Sequence, residues 1–187
     1  MQIELKNIKI GRININEKIK INNISCIAGE NGVGKSSILR ILSGIYLPSN
    51  GLLSVDKNIY DLSKDKDKEK YLKYSRENIL YFDDDNIFLN DNTTLEQNFK
   101  YFLLLNNINY KNKREKFLKM FECFNIKDSL ATEIKHISSG TRKKIVIILM
   151  LLTEKNIILF DEPLNHLDKG AKEVFFELIK ESKSKIL

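Results

Sequence analysis

The chain has 187 residues, a formal net charge of +6 at pH 7, 42% hydrophobic and 30% charged residues, and no tryptophan. Such totals fit one globular domain, with room for a subdomain and a real core. The longest apolar run, residues 145–152, is too short to cross a bilayer, and the first ten residues alternate polar and apolar rather than opening as a signal peptide. The basic residues are scattered, with no arginine-rich tract or interleaved aromatics, so they read as a solvated surface and weigh against a nucleic-acid partner. Cys26 and Cys123 lie far apart, without a C-x-x-C or a histidine at metal spacing, which is the pattern of free thiols in a reducing compartment.

In chain order, Ile3, Leu5, Ile8 and Ile10, then Gly11, then Ile13, Ile15, Ile19 and Ile21 predict antiparallel strands. Residues 24–28 predict a short buried strand that feeds a glycine-rich loop. Residues 35–43 predict a helix with Ile38, Leu39, Ile41 and Leu42 inward, ended by Gly44. Residues 51–55 return as a strand after the turn Pro48-Ser49-Asn50, and residues 61–74, rich in lysine and aspartate, predict an exposed loop and helix. Residues 78–82 predict another strand. From 93 to 130 the spacing of Leu95, Phe99, Phe102, Leu103, Phe117, Met120, Phe121 and Phe124 is helical, so these aromatics are expected in a core rather than on a base-stacking platform. A helix to about residue 152, a buried strand at 156–160, an amphipathic helix at 169–182 and the start of a strand at 185–187 follow. Strands alternating with helices imply an α/β layered domain with a mainly parallel core sheet.

Three stretches carry chemistry. GENGVGKSS, residues 29–37, reads G-x-x-x-x-G-K-S between a strand and a helix. Glycines let the backbone turn tightly so that N–H groups converge on phosphate, the helix adds the positive end of its dipole, Lys35 reaches the β- and γ-phosphates, and the Ser36 hydroxyl suits Mg²⁺. Its alternative is a chance glycine-rich turn. In NIILFDEP, residues 156–163, an apolar strand delivers Asp161 and Glu162 at its C-terminal end, where open α/β sheets bind ligands. Asp161 suits Mg²⁺ and Glu162 suits a general base, while the plain alternative is a helix cap. HISSGTRKK, residues 136–144, places serine and glycine at a helix start, which is either an anion site or an ordinary cap.

The order of these pieces, followed by LNHLD at residues 164–168, resembles an ATP-binding cassette (ABC) ATPase over essentially the whole chain. ISSGTRK is similar to the family signature, with Ser138 and Gly140 matching its serine and second glycine, and LNHLD resembles its D-loop. The resemblance implies a P-loop NTPase fold of the ABC type, with an N-terminal antiparallel β subdomain and a helical signature subdomain at about residues 84–143 within a single domain. It implies ATP and Mg²⁺ as cofactors, with Gly29, Glu30, Asn31, Gly32, Val33, Gly34, Lys35, Ser36 and Ser37 around the phosphates. Ser36 and Asp161 would hold magnesium and Glu162 would activate water. Ser138 and Gly140 would grip the γ-phosphate of a second cassette's nucleotide, and Asp168 would couple the two sites.

Four departures from the family pattern stand out. The usual glutamine before the helical insert is replaced within YFDDDN by Asp83 or Asp84, the latter taken as a further magnesium ligand, with a plain turn as the alternative. Ser139 and Thr141 replace a glycine and a glutamine of the signature. Ile8, Ile10 and Arg12 stand where an aromatic stacks on adenine, and Arg12 is the candidate to stack through its guanidinium plane. The chain is expected to stop before the family's switch histidine, which neither His136, before the signature, nor His166, in the D-loop, matches; either the gene is longer than this chain, or the protein lacks its γ-phosphate sensor and turns over weakly. The implied role is the ATPase subunit of an ABC transporter, cytoplasmic and peripheral on the inner face of the membrane, dimerising with a second cassette and driving a separate permease. The alternatives are an ABC protein acting on ribosome or nucleic acid, and a catalytically weak regulatory or immunity cassette.

Overall fold

Alternating branched residues at the start of the chain build an antiparallel sheet, and its register explains which of them face inward. In the computed structural model, which describes residues 1–83 and 88–187, β1 (Gln2–Ile10) pairs with β2 (Ile13–Lys20), then with β3 (Leu52–Val55), which pairs with β4 (Asn58–Asp61). Ile3 and Leu5 are buried two apart, but the next buried position is Ile8, because the register shifts between Leu5 and Ile8. Asn7 takes a positive φ of 53° at this bulge and its N–H donates to the Asn16 Oδ1 at 2.7 Å. Gly51 meets the same spot: a Cβ there would lie 2.7 Å from the Ile8 Cγ1 and 2.9 Å from the Asn7 carbonyl oxygen, so only glycine lets β3 start this close to β1.

α1 (Lys35–Ser43) buries Ile38, Leu39, Ile41 and Leu42, as its spacing predicts, and ends at Gly44, whose N–H donates to the Ile41 carbonyl with φ 77°. A second sheet has the order β5 (Ile79–Asp83), β6 (Ile157–Asp161), β7 (Lys185–Ile186), with β7 parallel to β6, and α1 packs on β6. Residues 24–28 depart from expectation. They form one parallel bridge, Ile24 to Ile186, through Ser25 N–H to the Ile186 carbonyl and Ile186 N–H to the Asn23 carbonyl, each 2.8 Å. Ile24 is 41% exposed and Ala28 is exposed too, so this is not a buried strand.

Residues 61–74 also differ from the exposed loop and helix expected. The segment supplies the end of β4 and most of α2 (Asp65–Asn78), whose inner face carries fully buried Tyr71 and Ser75. The Tyr71 hydroxyl donates to the Leu42 carbonyl at 2.7 Å, and burial, with Tyr74 and Tyr60 nearby, raises its pKa above the usual phenol range. Asp65 and Asp67 in the first turn complement the helix dipole.

These elements belong to one compact unit, residues 1–82, 155–161 and 184–187, while residues 83–154 and 162–183 form another. The second unit is helical: α3 (Leu95–Leu105), α4 (Tyr110–Cys123), α5 (Ser139–Leu152) and α6 (Lys169–Glu181). Thr94 and Gln97 close a capping box on α3, and Asn109 caps α4. Phe99 and Phe117 stack with ring centroids 4.1 Å apart, and Phe121 follows at 5.4 Å from Phe117, so the helically spaced aromatics there are core. Tyr101, by contrast, is 62% exposed. Residues 145–152 of α5 are all buried, and α3, α4 and α6 pack against this helix. Among the described residues no helix is long and apolar enough to cross a membrane.

Glu154, just past α5 with φ 52°, joins this helix to α4 through Lys113 and Lys116, each 2.9 Å away. The hydrogen bond from Lys113, then that from Lys116, lowers its pKa to about 2. A carboxyl depressed in the folded state stabilises it fully above the unfolded pKa of about 4.3, and the contribution drains away as pH falls towards 2. NMR titration should place the Glu154 midpoint far below that of an ordinary glutamate, and Lys113→Met should move it upward. Glu154→Gln should flatten the acid limb of the stability profile, measured by denaturant unfolding between pH 5 and pH 2 (roughly the window the linkage sets).

Candidate functional site

In the first unit, residues 29–34 connect the Ile24 bridge to α1. Gly34 sits at the cap position with φ 103° and ψ 16°, a left-handed conformation that strains any residue with a side chain. Space is not the constraint there, since the nearest atom to an added Cβ, Ile13 Cγ2 of β2, would lie 3.6 Å away. A glycine cap brings no side-chain oxygen to the first turn, where Ile38 N–H to the Gly34 carbonyl at 2.9 Å starts the helical ladder. A helix start of this kind is suited to an anion, through its early N–H groups and the positive end of its dipole.

Lys35 folds back over the loop. Its ammonium donates to the Gly29 carbonyl at 2.8 Å and to the Glu30 carbonyl at 2.7 Å. Glu30, Asn31, Gly32 and Val33 are exposed, and Lys35, Ser36 and Ser37 are half-buried. Asp161 ends β6, half-buried, and its Oδ2 accepts the Tyr81 hydroxyl of neighbouring β5 at 3.1 Å. Arg12 is exposed in the turn between β1 and β2, next to Ile13, whereas Ile8 is fully buried in the core and has no surface to offer a base. Asp83 ends β5 and is 8% exposed, while Asp84 lies outside the described residues.

In the second unit, the Ser138 side chain caps α5, accepting from the Thr141 N–H at 3.2 Å and donating from its hydroxyl to the Thr141 Oγ1 at 2.9 Å. Thr141 thus supports the cap. Gly140 has open space where a Cβ would stand. Arg142 donates to the Ile137 carbonyl and pairs with Asp91 at 2.8 Å. Lys143 is 2% exposed, its ammonium donating to the Asn165 carbonyl at 2.7 Å and lying 3.4 Å from the Glu162 carbonyl. Lys144 reaches Asp168 at 3.1 Å.

Glu162 is exposed with φ 52°, and its Oε2 accepts the Asn165 side-chain amide at 2.5 Å. His166 is exposed, also with positive φ, at 60°. Asp168 caps α6 by accepting from the Ala171 N–H at 2.8 Å, and this bond, then the Lys144 ammonium, holds its carboxyl below the usual range. Three of the contacts escaped the sequence. Tyr81 reads as an ordinary strand residue, Asn165 as a turn residue, and Lys143 as one more surface lysine. The only hint was the position of Asn165, three residues after Glu162.

Comparison with known proteins gives the setting. A sequence model of the ABC transporter family matches residues 13–165. The chain is 30% identical over 157 residues to the ABC transporter ATP-binding protein NatA of Bacillus subtilis, covering 84% of this chain and 61% of that protein. It is 31% identical over 166 residues to the zinc import ATP-binding protein ZnuC of Wigglesworthia glossinidia brevipalpis, covering 89% and 61%. The chain therefore spans about three fifths of the length of these relatives. Among solved structures, an ATP-binding subunit of an ABC transporter superposes with a TM-score of 0.79 at 21% identity, over 100% of this chain and 78% of that one. A dimeric ATP-binding cassette in a post-hydrolysis state, bound to ADP and Pi, gives 0.71 at 22% identity, over 98% and 86%. The sequence match runs from the start of β2 to the turn after Glu162, the fold agrees with these structures, and the chain belongs to the ABC transporter family.

Proposed function

We propose that this chain is the ATP-binding and hydrolysing subunit of an ABC transporter, closing on ATP with a second cassette and so driving a separate membrane permease from the cytoplasmic face. The observation that carries the reading is the start of α1, where a left-handed glycine caps a helix that packs on the strand ending in Asp161, with the Lys35 ammonium held over the loop. Lys35 moves from the Gly29 and Glu30 carbonyls to the β- and γ-phosphates, a charged acceptor replacing two neutral ones. The N–H groups of the loop and first turn complete the grip, and the Arg12 guanidinium stacks on the base.

Mg²⁺ fits the residues present. The Ser36 hydroxyl and the Asp161 carboxylate are the hard oxygen donors this ion takes, and they leave the rest of its shell to phosphate and water. Bound there, the ion neutralises phosphate charge. The Tyr81 hydroxyl donates to Asp161 Oδ2 and would orient this carboxylate as a ligand of the ion. Glu162 accepts the proton of the attacking water. Ser138 and Gly140 of one copy contact the γ-phosphate bound by the other, so that water is positioned only in the closed pair. Asp168, already held by Lys144 and the start of α6, carries the state of one site to the next.

Lys35→Ala should weaken ATP binding at least tenfold (about 1.4 kcal/mol) by calorimetry, and unaltered affinity would remove the phosphate grip. Glu162→Gln should bind ATP normally, lose steady-state hydrolysis and accumulate an ATP-dependent dimer in size-exclusion chromatography. From detergent-solubilised cells this variant should co-purify a polytopic membrane protein, whereas recovery of ribosomal proteins would favour the non-transport reading. Tyr81→Phe should leave metal-free nucleotide binding intact and weaken Mn²⁺ binding in the presence of nucleotide by roughly tenfold, read by electron paramagnetic resonance.

A further inference from the structure

The turn after β6 contains two left-handed residues with side chains, Glu162 at φ 52° and His166 at φ 60°. Such residues are strained and persist only where their surroundings impose the conformation. Here they do. Asn165 N–H donates to the Glu162 carbonyl at 3.2 Å and closes the turn. The Asn165 side-chain amide donates to Glu162 Oε2 at 2.5 Å. Beneath them, the Lys143 ammonium donates to the Asn165 carbonyl at 2.7 Å and approaches the Glu162 carbonyl at 3.4 Å. A lysine 2% exposed is tolerated only where fixed oxygens replace its water, and two of those oxygens belong to this turn.

We propose that Asn165 and Lys143 are positioning residues for Glu162: Lys143 fixes the turn from α5, and Asn165 commits Oε2, leaving Oε1 to accept a proton. The inference rests on the reading of Glu162 as the general base of ATP hydrolysis. An ionised carboxylate only accepts hydrogen bonds, so the Asn165 group facing it is the amide NH₂, and an isosteric aspartate there supplies no donor. In the hydrolytic step the water oxygen bonds to the γ-phosphorus, its proton passes to Glu162 Oε1, and the bond from the γ-phosphorus to the bridging oxygen breaks to release ADP. Rotation of the carboxylate out of line would slow that step without touching the groups that bind ATP.

The test measures kcat and KM for ATP hydrolysis in the full chain for Asn165→Asp, Lys143→Met and Lys143→Arg, with Glu162→Gln as reference. Asn165→Asp should lower kcat at least tenfold with KM within about twofold of wild type, the sign of an interaction used in the transition state alone. Lys143→Met should do the same, and Lys143→Arg, which keeps the cation, should recover part of the loss. In the Glu162→Gln background, Asn165→Asp should have no further effect, because the two act as one unit. If Lys143→Met fails to fold, Asn165→Asp, on an exposed turn, decides alone. Should Glu162→Gln abolish turnover while Asn165→Asp keeps wild-type kcat, the positioning role is wrong and the general base stands. Should Glu162→Gln turn over as fast as wild type, the general base is wrong and the positioning role falls with it.

Discussion

The seat of α1 on β6 is the contact from which the first unit takes its order. Ile38, Leu39, Ile41 and Leu42 join Ile157 and Leu159 in one buried cluster, so the helix cannot slide or turn without opening that core. The Tyr71 hydroxyl holds the last turn of the same helix through the Leu42 carbonyl. With body and end fixed, the first turn has a fixed place as well, and the phosphate loop before it needs little of its own packing. Four consecutive loop residues, Glu30 to Val33, are indeed exposed. A loop that is to receive a charged ligand is better held from behind than filled, because its N–H groups must stay available.

The second unit meets a different problem. The second turn of α5 carries Arg142, Lys143 and Lys144, three consecutive cations near a helix start, the end of a helix that favours negative charge. Every one has a local answer: Asp91 for Arg142, the carbonyls of the Glu162 turn for Lys143, and Asp168 for Lys144. The same cations that burden the helix start therefore pull the turn after β6 and the start of α6 onto it. The apolar remainder of α5 supplies the burial that makes this arrangement stable, and Glu154 locks its far end to α4.

Much of this was legible in the sequence, and what was not has physical reasons. Helical spacing located α1, α3, α4 and α6 because each buries one stripe, and the glycine and acid motifs were found because their chemistry demands fixed residue types. Residues 24–28 misled because an apolar run reports hydrophobicity, whereas a strand also needs a partner, and β7 pairs with this segment at a single bridge. α2 misled in the opposite direction: nine charged residues among its fourteen hid one buried tyrosine and one buried serine. β4, absent from the sequence reading, is short and largely exposed, so alternation left little trace. Lys143 was invisible for a further reason. In a helix where residues 145–152 are all apolar and all buried, helical phase cannot tell an inward lysine just before them from an outward one.

The two adjacent acids, Asp161 and Glu162, have different surroundings. Asp161 keeps the extended backbone of β6, and a hydroxyl from the neighbouring strand holds it. At Glu162 the chain turns left-handed, so the next side chain departs from the strand's alternation and belongs to the turn. Its partner is an amide three residues on, backed by a buried lysine from a helix. A residue continuing the strand at that position would have turned its side chain to the opposite face of the sheet from Asp161. One left-handed φ separates the surroundings of the two carboxylates, and the hydrogen bonds of Asn165 and Lys143 hold the turn in that conformation.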